Sequence, residues 1–507
     1  MPRALRSDTC AFAACCVTIC AAIGLAAAGN TPASRVQRGA VDIRPFTFTT
    51  FDGQQHPSEL GKLTVPENRQ SASGRRIEVA FVRLAHSGQS DEPPVVFLPP
   101  GPGIPSTTLA RVPVYFGLFD RLRARGDVLL LDIRGEGMST PNFEDCPPSP
   151  TISPRVFEDF TRLIQQLAAS VGHCAAFWRA QGVDLSAYNN DEIAADINEL
   201  RQALGYTHVR LLGFSAGTDL GLSVLQRHDD TVDRAVFAAT GAPEFYPSLP
   251  STLDGQLRKV SALHAAAAPG GKSDLVSLMA SDLKALAERP APIVVRDGAD
   301  RDATTLSVGP IALQYFGAHT IGNRAAMIPA LLQSVHDGDY SLLQILVQKE
   351  YVAFHTSMTL IGRTIDCAGP ISSARAARVS AEAAGSLFGN VSNVHLQPAV
   401  CEAAVGRAIP STPTVDPVFS RVPTLLISGS MDSNTPPFDA ETIRWTLPAG
   451  VHVVITNGFH ETLPAQQVQD LVVDFFAGHD VVGRSIAFET PRFLSLDEAR
   501  VAAAKGR

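Results

Sequence analysis

The stretch Gly213-Phe214-Ser215-Ala216-Gly217 decides the fold of this chain. It follows the apolar run 209–212, which predicts a strand, and it precedes the helix-like segment 218–225. A serine at so sharp a strand-to-helix turn exposes its hydroxyl at the edge of a sheet. The glycines two positions before and after it are needed because side chains there would collide across the turn. The pattern predicts a nucleophile elbow at Ser215, and an ordinary glycine turn is the alternative.

Short apolar runs alternate with helix-like segments on both sides of this turn, which is typical of a mainly parallel sheet covered by helices. The predicted strands are 61–65, 77–84, 94–98, 127–132, 209–212, 234–239, 424–428 and 451–456, and the apolar helix 466–476 closes the core. The fold class is therefore α/β, with a mostly parallel central sheet flanked by helices.

The alternation stops between about Pro243 and Ser420, where stretches rich in alanine and leucine predict helices. An insertion of this length is too long for a loop and predicts a large helical cap between late core strands. We expect a first core part at 40–242, the cap at 243–420, a second core part at 421–479 and a partly ordered tail at 480–507.

A catalytic serine needs a base and an orienting acid, which in this architecture follow it in the order Ser, Asp or Glu, His. Asp432 comes just after the strand 424–428, and His460 comes just after the strand 451–456. Parallel strands end at the same edge of a sheet, so both loops should lie beside Ser215. We predict a triad in which Asp432 orients His460 and His460 activates Ser215.

Three other residues are alternatives for these roles. His452 lies within a predicted strand, where a packed histidine is the better interpretation, and His479 comes after the closing helix. Glu244 follows the strand 234–239 and is the alternative orienting acid.

An oxyanion hole needs two backbone N–H groups, one after the nucleophile and one from the loop after an early strand. Ala216 supplies the first. The second loop is Pro99-Pro100-Gly101-Pro102-Gly103, in which only the two glycines carry an N–H. We predict Gly101 as the second donor, and a rigid turn without catalytic duty is the alternative.

The stretch Asp132-Ile133-Arg134-Gly135-Glu136-Gly137-Met138-Ser139 follows another predicted strand. Its Asp132 and Arg134 can brace neighbouring loops through charge-assisted hydrogen bonds. We favour this structural role over direct contact with a substrate.

Together these motifs resemble one family. PPGPG (99–103), DIRGEGMS (132–139), GFSAG (213–217), SGSMDSNTPP (428–437) and GFH (458–460) look like the α/β-hydrolases of the prolyl aminopeptidase and tripeptidyl aminopeptidase group. The resemblance runs from about Gly61 to Phe476 and includes the long cap.

The resemblance implies an α/β-hydrolase fold and a serine exopeptidase that removes residues from peptide N-termini without a metal or organic cofactor. It assigns Ser215, Asp432 and His460 to the triad, and Gly101 and Ala216 to the oxyanion hole. Pro100 stands where the family commonly has a glycine. Relatives include esterases, so an esterase or amidase acting on small substrates is the alternative. Glu244 is the candidate for holding the substrate ammonium group, with Glu350 as a second one.

The N-terminus predicts export. Arg3 and Arg6 precede an uncharged run from Thr9 to Ala28 that ends in three alanines. This order is typical of a secretory signal peptide, here 1–29, and a retained membrane anchor is the alternative. We expect a secreted or periplasmic protein without stable membrane insertion after cleavage.

Cysteine usage agrees with export. Four cysteines follow the predicted signal, namely Cys146, Cys174, Cys367 and Cys401. They show no CxxC spacing or pairing with histidine, so we expect no metal site. Two disulfides are expected in an oxidising compartment, and sequence proximity favours Cys146–Cys174 and Cys367–Cys401 among three possible connectivities.

The overall charge points away from nucleic acid. The net charge is −8, with 18% charged residues and no basic patch interleaved with aromatic residues. The expected partner is a peptide or a small ester or amide substrate.

Overall fold

The computed structural model describes residues 36–38, 41–71, 74–88, 92–149, 151–241, 244, 248–267, 274–296, 303–355 and 360–505. The predicted signal segment 1–29 lies outside the described residues.

Fourteen strands are present in the described part of the chain. They are β1 (Val36–Arg38), β2 (Val41–Thr49), β3 (Gln55–Pro66), β4 (Arg76–Leu84), β5 (Val95–Leu98), β6 (Val128–Asp132), β7 (Val209–Phe214), β8 (Val232–Ala238), β9 (Ala291–Arg296), β10 (Ala303–Val308), β11 (Ile371–Ser372), β12 (Ser411–Thr412), β13 (Thr424–Gly429) and β14 (Gly450–Ile455).

The helices of the first core part are α1 (Ser106–Leu109), α2 (Pro113–Leu122), α3 (Phe160–Ala180), α4 (Asn190–Ala203) and α5 (Ala216–His228). Those of the cap region are α6 (Pro250–Ala267), α7 (Leu275–Glu288), α8 (Pro310–Arg324), α9 (Ile328–His336), α10 (Ser341–His355), α11 (Leu360–Asp366), α12 (Ser373–Ala383) and α13 (Pro398–Val405). The last three are α14 (Pro437–Arg444), α15 (Gln466–Phe476) and α16 (Leu496–Lys505).

Ten strands form one sheet in the order β1-β2-β3-β4-β6-β5-β7-β8-β13-β14. The six strands from β6 to β14 run parallel, whereas β1 to β4 pair antiparallel and β4 pairs antiparallel with β6. The predicted α/β fold with a mostly parallel sheet is confirmed. The antiparallel pairing of β1 to β4 was not predicted from the sequence.

The central strands β5 and β6 are almost wholly apolar because helices cover both faces of the sheet. Consecutive residues of a strand point to opposite faces. In β6, Leu129 and Leu131 belong to the apolar core shared with α4, α5 and the cap, whereas Leu130 belongs to the core shared with α2 and α15. All three side chains are fully buried.

The cap is mostly helical, as expected, but it also contains a β-hairpin formed by β9 and β10. In β9, burial alternates from residue to residue, with Ile293 and Val295 buried and Val294 exposed. Alternation with a period of two is typical of a strand. The hairpin was not predicted because helix-like segments surround it in the insertion.

Two disulfides join the elements at the side of the cap. Cys146 is bonded to Cys174 of α3, and Cys367, next to the end of α11, is bonded to Cys401 of α13. Helices α3 and α13 also pack directly against each other. Both pairings expected from sequence proximity are therefore present.

The C-terminal segment docks onto the cap. The segment 480–507, expected as a partly ordered tail, ends in α16, which packs against α9 and α10. Ala499 and Ala503 are buried four residues apart on one helix face, and Arg500 donates to Asp339 at 2.5 Å and to Ser341 at 2.7 Å. Small side chains at this spacing let the helix approach the cap closely.

The loop after β6 is braced from two sides. Arg134, fully buried, donates to both carboxylate oxygens of Asp196 in α4 at 2.7 and 2.8 Å. Asp132 accepts hydrogen bonds from the backbone N–H groups of Thr107 and Met138, both at 3.0 Å. The two residues thus act on different neighbours, and both contacts are structural.

Replacing Asp196 by alanine should lower the free energy of unfolding by about 3–5 kcal/mol, because the buried guanidinium of Arg134 would lose its bidentate partner and keep only Glu192, 3.6 Å away, as a counter-charge. Glu199→Ala is the matched control. Glu199 also pairs with Arg69, but its side chain is 38% exposed, so its loss should cost no more than about 1 kcal/mol. Denaturant unfolding followed by circular dichroism checks both values, and similar losses in the two variants would contradict this account.

Candidate active site

Ser215 occupies a strained turn between β7 and α5. Its backbone has φ 53° and ψ −123°, which is in the left-handed region that non-glycine residues rarely adopt. Such a conformation costs on the order of 1–3 kcal/mol and persists only where the surroundings enforce it. Here the Ser215 N–H donates to Ala238 O at 2.9 Å, and Thr218 donates back to Ser215 O through its N–H and its hydroxyl.

The two flanking glycines are required for steric reasons. A Cβ on Gly213 would lie 2.8 Å from the carbonyl oxygen of Gly217. A Cβ on Gly217 would lie 2.1 Å from the carbonyl oxygen of Leu98, at the end of the neighbouring strand β5. The turn is thus as tight as its sequence predicts, and it also lies directly against the loop that follows β5.

The three residues predicted as a triad form one hydrogen-bonded chain. Nε2 of His460 lies 2.8 Å from Oγ of Ser215, and Nδ1 of His460 lies 2.9 Å from Oδ2 of Asp432. With Nδ1 protonated, the imidazole donates to the carboxylate and accepts the serine hydroxyl proton. This is the arrangement that removes a proton from serine during nucleophilic attack.

The loops that carry Asp432 and His460 hold each other in place. Strands β13 and β14 are parallel neighbours, so both loops leave the same edge of the sheet. Met431 N donates to Gly458 O at 2.8 Å, and Asn457 N donates to Oγ of Ser430 at 2.9 Å. The acid and the base are therefore positioned by direct contacts between their own loops.

Thr435 completes the surroundings of the buried Asp432 carboxylate. Its hydroxyl donates to Oδ2 at 2.7 Å and its N–H donates to Oδ1 at 3.1 Å, while Asn434 N donates to Oδ1 at 2.8 Å. These contacts fix the carboxylate without a cation. The sequence analysis did not single out Thr435, although a threonine three residues after an aspartate is a known local turn signal.

The pKa of His460 lies above the ordinary histidine value of 6.5. Burial lowers this pKa, but the charge of Asp432 and the hydrogen bond to it raise it by more. Phe214 packs near the imidazole, with ring centroids 5.7 Å apart. A more basic imidazole is a better acceptor of the serine proton, provided that the pH is high enough to leave it neutral.

The loop after β5 takes conformations that need glycine. Gly101 has φ +126° and Gly103 has φ +107°, and a Cβ on Gly101 would lie 2.8 Å from Gly103 N. Because Gly217 touches Leu98, this loop lies beside Ala216, the other predicted oxyanion donor. The structure thus brings the two predicted donor residues to the same region.

A cavity of about 710 Å³ opens beside Ala216 and Gly217, between the core and the cap. Its wall contains more acidic than basic side chains. The acidic residues are Glu136, Asp191, Glu192, Asp219, Glu244, Asp366 and Asp416, and the basic residues are Arg227 and Arg407. Asp191 pairs with Arg227, and Glu192 pairs with Arg69. The remaining acids give the cavity a negative character.

Asp219 of α5 and Asp366 of α11 face this cavity from the core and from the cap. Burial raises the pKa of Asp219 to about 6, and the charge of Asp366 adds to the increase against a hydrogen bond from Asn190 at 2.5 Å. Burial likewise raises the pKa of Asp366 to about 6, although Arg363 opposes the increase at 3.5 Å. The sequence analysis missed this pair because its members lie far apart in the chain.

The two predicted ammonium-binding glutamates have different positions. Glu244 lines the cavity, but its carboxylate accepts the N–H of Ser372, the residue that caps α12. Glu350 accepts the hydroxyl of Tyr315 at 2.8 Å and is not among the cavity-lining residues. Glu244 therefore lies in the region expected of it, and Glu350 does not.

The alternative histidines are placed elsewhere. His452 lies in β14 and bridges Glu441 and Ser428, each at 3.1 Å. Ser428 is fully buried within β13, so this second Ser–His–Glu arrangement has no access for a substrate. His479 follows α15 and lies 3.2 Å from Asp474. His452 is a packed histidine, as its place in a strand predicted.

The described residues contain neither a membrane-spanning helix nor a cluster of metal ligands. Within the ranges given above, no helix combines the length and apolarity needed to cross a membrane. Among the same residues, no group of three or more His, Cys, Asp or Glu side chains has the arrangement of a metal site.

The known proteins that resemble this chain are distant from it in sequence. A search of the curated proteins found no match to this sequence. Similar solved structures include an esterase from Thermogutta terrifontis (13% identity, covering 82% of this chain and 98% of that chain, TM-score 0.35) and proline iminopeptidase from Mycobacterium smegmatis (15%, 83% and 99%, 0.38). Another is a proline iminopeptidase-related protein from Thermus thermophilus (15%, 82% and 96%, 0.34).

The family described as alpha/beta hydrolase fold matches residues 93–464 of this chain. The match begins just before β5 and extends past the turn at Ser215, the cap and the loops of Asp432 and His460. Because it covers well over half of the sequence, the chain belongs to the α/β-hydrolase family.

Proposed function

We propose that this protein is an exported serine hydrolase, an aminopeptidase of the prolyl or tripeptidyl type that cleaves residues from peptide N-termini through an acyl-enzyme. The observation that carries the proposal is the hydrogen-bonded chain from Ser215 through His460 to Asp432. The two disulfides support export, because such bonds persist in oxidising compartments.

The proposed reaction follows from these positions. His460 takes the hydroxyl proton as Ser215 attacks the substrate carbonyl carbon, and Asp432 stabilises the imidazolium. The N–H groups of Ala216 and Gly101 stabilise the negative oxygen of the tetrahedral intermediate. His460 then gives its proton to the leaving amine, and water releases the acyl group from Ser215 by the same steps.

The acidic cavity supports an aminopeptidase rather than an esterase. A substrate with a free N-terminus carries a positive charge, and carboxylates at Asp219 and Asp366 can receive it next to the acyl site. Burial raises the pKa values of both carboxyls to about 6, and the charge of Asp366 contributes to the increase at Asp219. An ammonium group between them would compensate both negative charges. Glu244 adds a third acid to the same wall.

Ser215→Ala should abolish covalent labelling by a serine-reactive phosphonate, while the wild-type protein is labelled once per chain. The reason is that Ser215 has a base within hydrogen-bond distance and is half-buried, whereas Ser428, which also lies beside a histidine, is fully buried. Mass spectrometry of the intact protein checks the mass increase. Ser428→Ala is the control and should be labelled like the wild type; labelling of Ser215→Ala would overturn the proposed nucleophile.

Asp219→Asn and Asp366→Asn should each lower kcat/KM by about 10- to 100-fold on aminoacyl or tripeptidyl substrates with a free N-terminus, because each loses a charge-assisted contact. Rates on the corresponding N-acetylated substrates should stay nearly unchanged. Asp416→Asn is the control, since it removes the same charge from an exposed position at the cavity rim. Equal wild-type rates on free and blocked substrates would contradict the aminopeptidase and favour the esterase or amidase.

Activity should fall at acid pH as His460 becomes protonated, because only neutral imidazole accepts the serine proton. The midpoint of this limb should lie above the ordinary histidine value of 6.5, as Asp432 raises the pKa of His460. Asp432→Asn should lower kcat by roughly 10⁴-fold and move the limb to lower pH. Steady-state rates across pH on an activated substrate measure both effects, and an unmoved limb would refute the assigned cause.

A further inference from the structure

Glu136 is the most unusual buried group in the described part of the chain. Its side chain is 0% exposed, and the backbone N–H groups of Ile133 and Gly103 act on its carboxyl without reaching full hydrogen-bond geometry with either oxygen. It lies in the loop after β6 and in the same cavity wall as Pro100, Pro102 and Ala216. A buried carboxyl without full hydrogen bonds is costly, so it persists where it has a function.

The charged groups near Glu136 are acidic. Burial raises its pKa well above 4.5, and the charges of Asp132 and Glu144 act in the same direction, against the backbone N–H groups of Ile133 and Gly103. A charge in this place would lack a counter-ion. The side chain is therefore a neutral acid, with one O–H donor and free acceptor capacity.

The charged groups that line the cavity from other elements have both signs. From α5 and from the cap, the acidic residues Asp219 and Asp366 and the basic residues Arg227 and Arg407 line the same cavity. Arg134, two residues before Glu136, is directed to Asp196 instead. The groups that act most strongly on the pKa of Glu136 include none of these cations.

The loop above Glu136 has few ways to hold its own shape. Three of its five residues are prolines, so Gly101 and Gly103 carry its only N–H groups. Both glycines have positive φ, and they lie so close together that a side chain on Gly101 would reach Gly103 N. If Gly101 N–H serves the oxyanion, Gly103 N–H is the only donor left to fix the loop to its surroundings.

We infer that Glu136 is a positioning residue for the oxyanion hole, whose neutral carboxyl supports the loop 99–103 at Gly103 and keeps the N–H of Gly101 directed at the reacting carbonyl. The inference rests on the proposed serine-hydrolase chemistry and adds a residue to it. Glu136 does not touch the substrate carbonyl in this account. It acts through the loop.

The charge state of Glu136 should then matter for the rate. An ionised carboxylate beside the oxyanion hole would oppose the negative charge that develops on the substrate oxygen. It would also accept a stronger hydrogen bond from the N–H of Gly103 and so change the conformation of the loop 99–103. Acylation of Ser215 should therefore slow down at alkaline pH as Glu136 ionises.

The test compares Glu136→Gln, Glu136→Ala and the wild type in two measurements, the phosphonate labelling rate and the steady-state hydrolysis of a neutral ester, each across pH. Glutamine keeps the size and the hydrogen-bonding groups but cannot ionise. We expect near wild-type rates at neutral pH for Glu136→Gln, without the alkaline decrease. Glu136→Ala should lower kcat at least about tenfold with little change in KM, because one oxyanion donor is misplaced.

Asp145→Asn is the control. It removes a negative charge nine residues along the chain, from an exposed side chain outside the cavity wall that is not among the charges raising the pKa of Glu136, and should keep the wild-type pH profile. Coinciding profiles of the wild type and Glu136→Gln, or a wild-type kcat in Glu136→Ala, would overturn the inference. If Glu136→Ala does not fold, the Glu136→Gln profile decides alone. A wild type that the phosphonate does not label would instead overturn the proposed function, and this inference with it.

Discussion

The contact between Gly217 and the end of strand β5 is the constraint on which the whole site depends. With only a hydrogen atom available at this position, helix α5 begins directly against the carbonyl groups of Leu98 and Pro99. Ser215, two residues earlier, has its positive φ in the same tight turn, and Ala216 between them lies beside the glycine–proline loop. One close approach thus exposes the serine, starts the helix and brings the two predicted oxyanion donors together.

The residues that the sequence predicted best are those placed by regular structure. Asp432 and His460 follow parallel neighbouring strands, so the strand pattern alone brings them to the edge where Ser215 lies. The hairpin β9–β10 and helix α16 were harder to predict, because each is short and stabilised by packing on the cap. The antiparallel strands β2 to β4 are interrupted by charged residues such as Asp42, Lys62 and Glu78, so their apolar runs are shorter than those of the central parallel strands. Strand β2 was therefore not predicted, and such runs do not show the direction of pairing.

Asp219 and Asp366 show what sequence patterns do not contain. Asp219 lies one helical turn after Ser215, and Asp366 lies in a cap helix about 150 residues later, so only the tertiary fold brings them to one cavity. Neither residue belongs to a motif with fixed spacing. Their proximity also has an electrostatic effect, since the charge of Asp366 adds to the burial that raises the pKa of Asp219.

Buried acids in this molecule fall into two groups with different physical consequences. Asp196 is balanced by Arg134 and Arg69, so its burial contributes to a fixed structure. Glu136, Asp219 and Asp366 lack such full compensation, and all three line the cavity beside the acyl site. A buried carboxyl without full compensation lowers stability, and the concentration of such groups at one cavity is typical of a binding or catalytic site.

The cap is attached to the core at the loop that carries Asp432. Gln256 of α6 donates to Met431 O at 2.6 Å, and Lys259 of the same helix donates to Ser430 O at 3.1 Å. From α8, Asn323 accepts a hydrogen bond from Asn434 at 3.2 Å. These residues flank Asp432 on both sides, so a shift of the cap would be transmitted to the carboxylate that accepts from His460. The cap and the hydrogen-bonded chain from Asp432 to Ser215 therefore share one support.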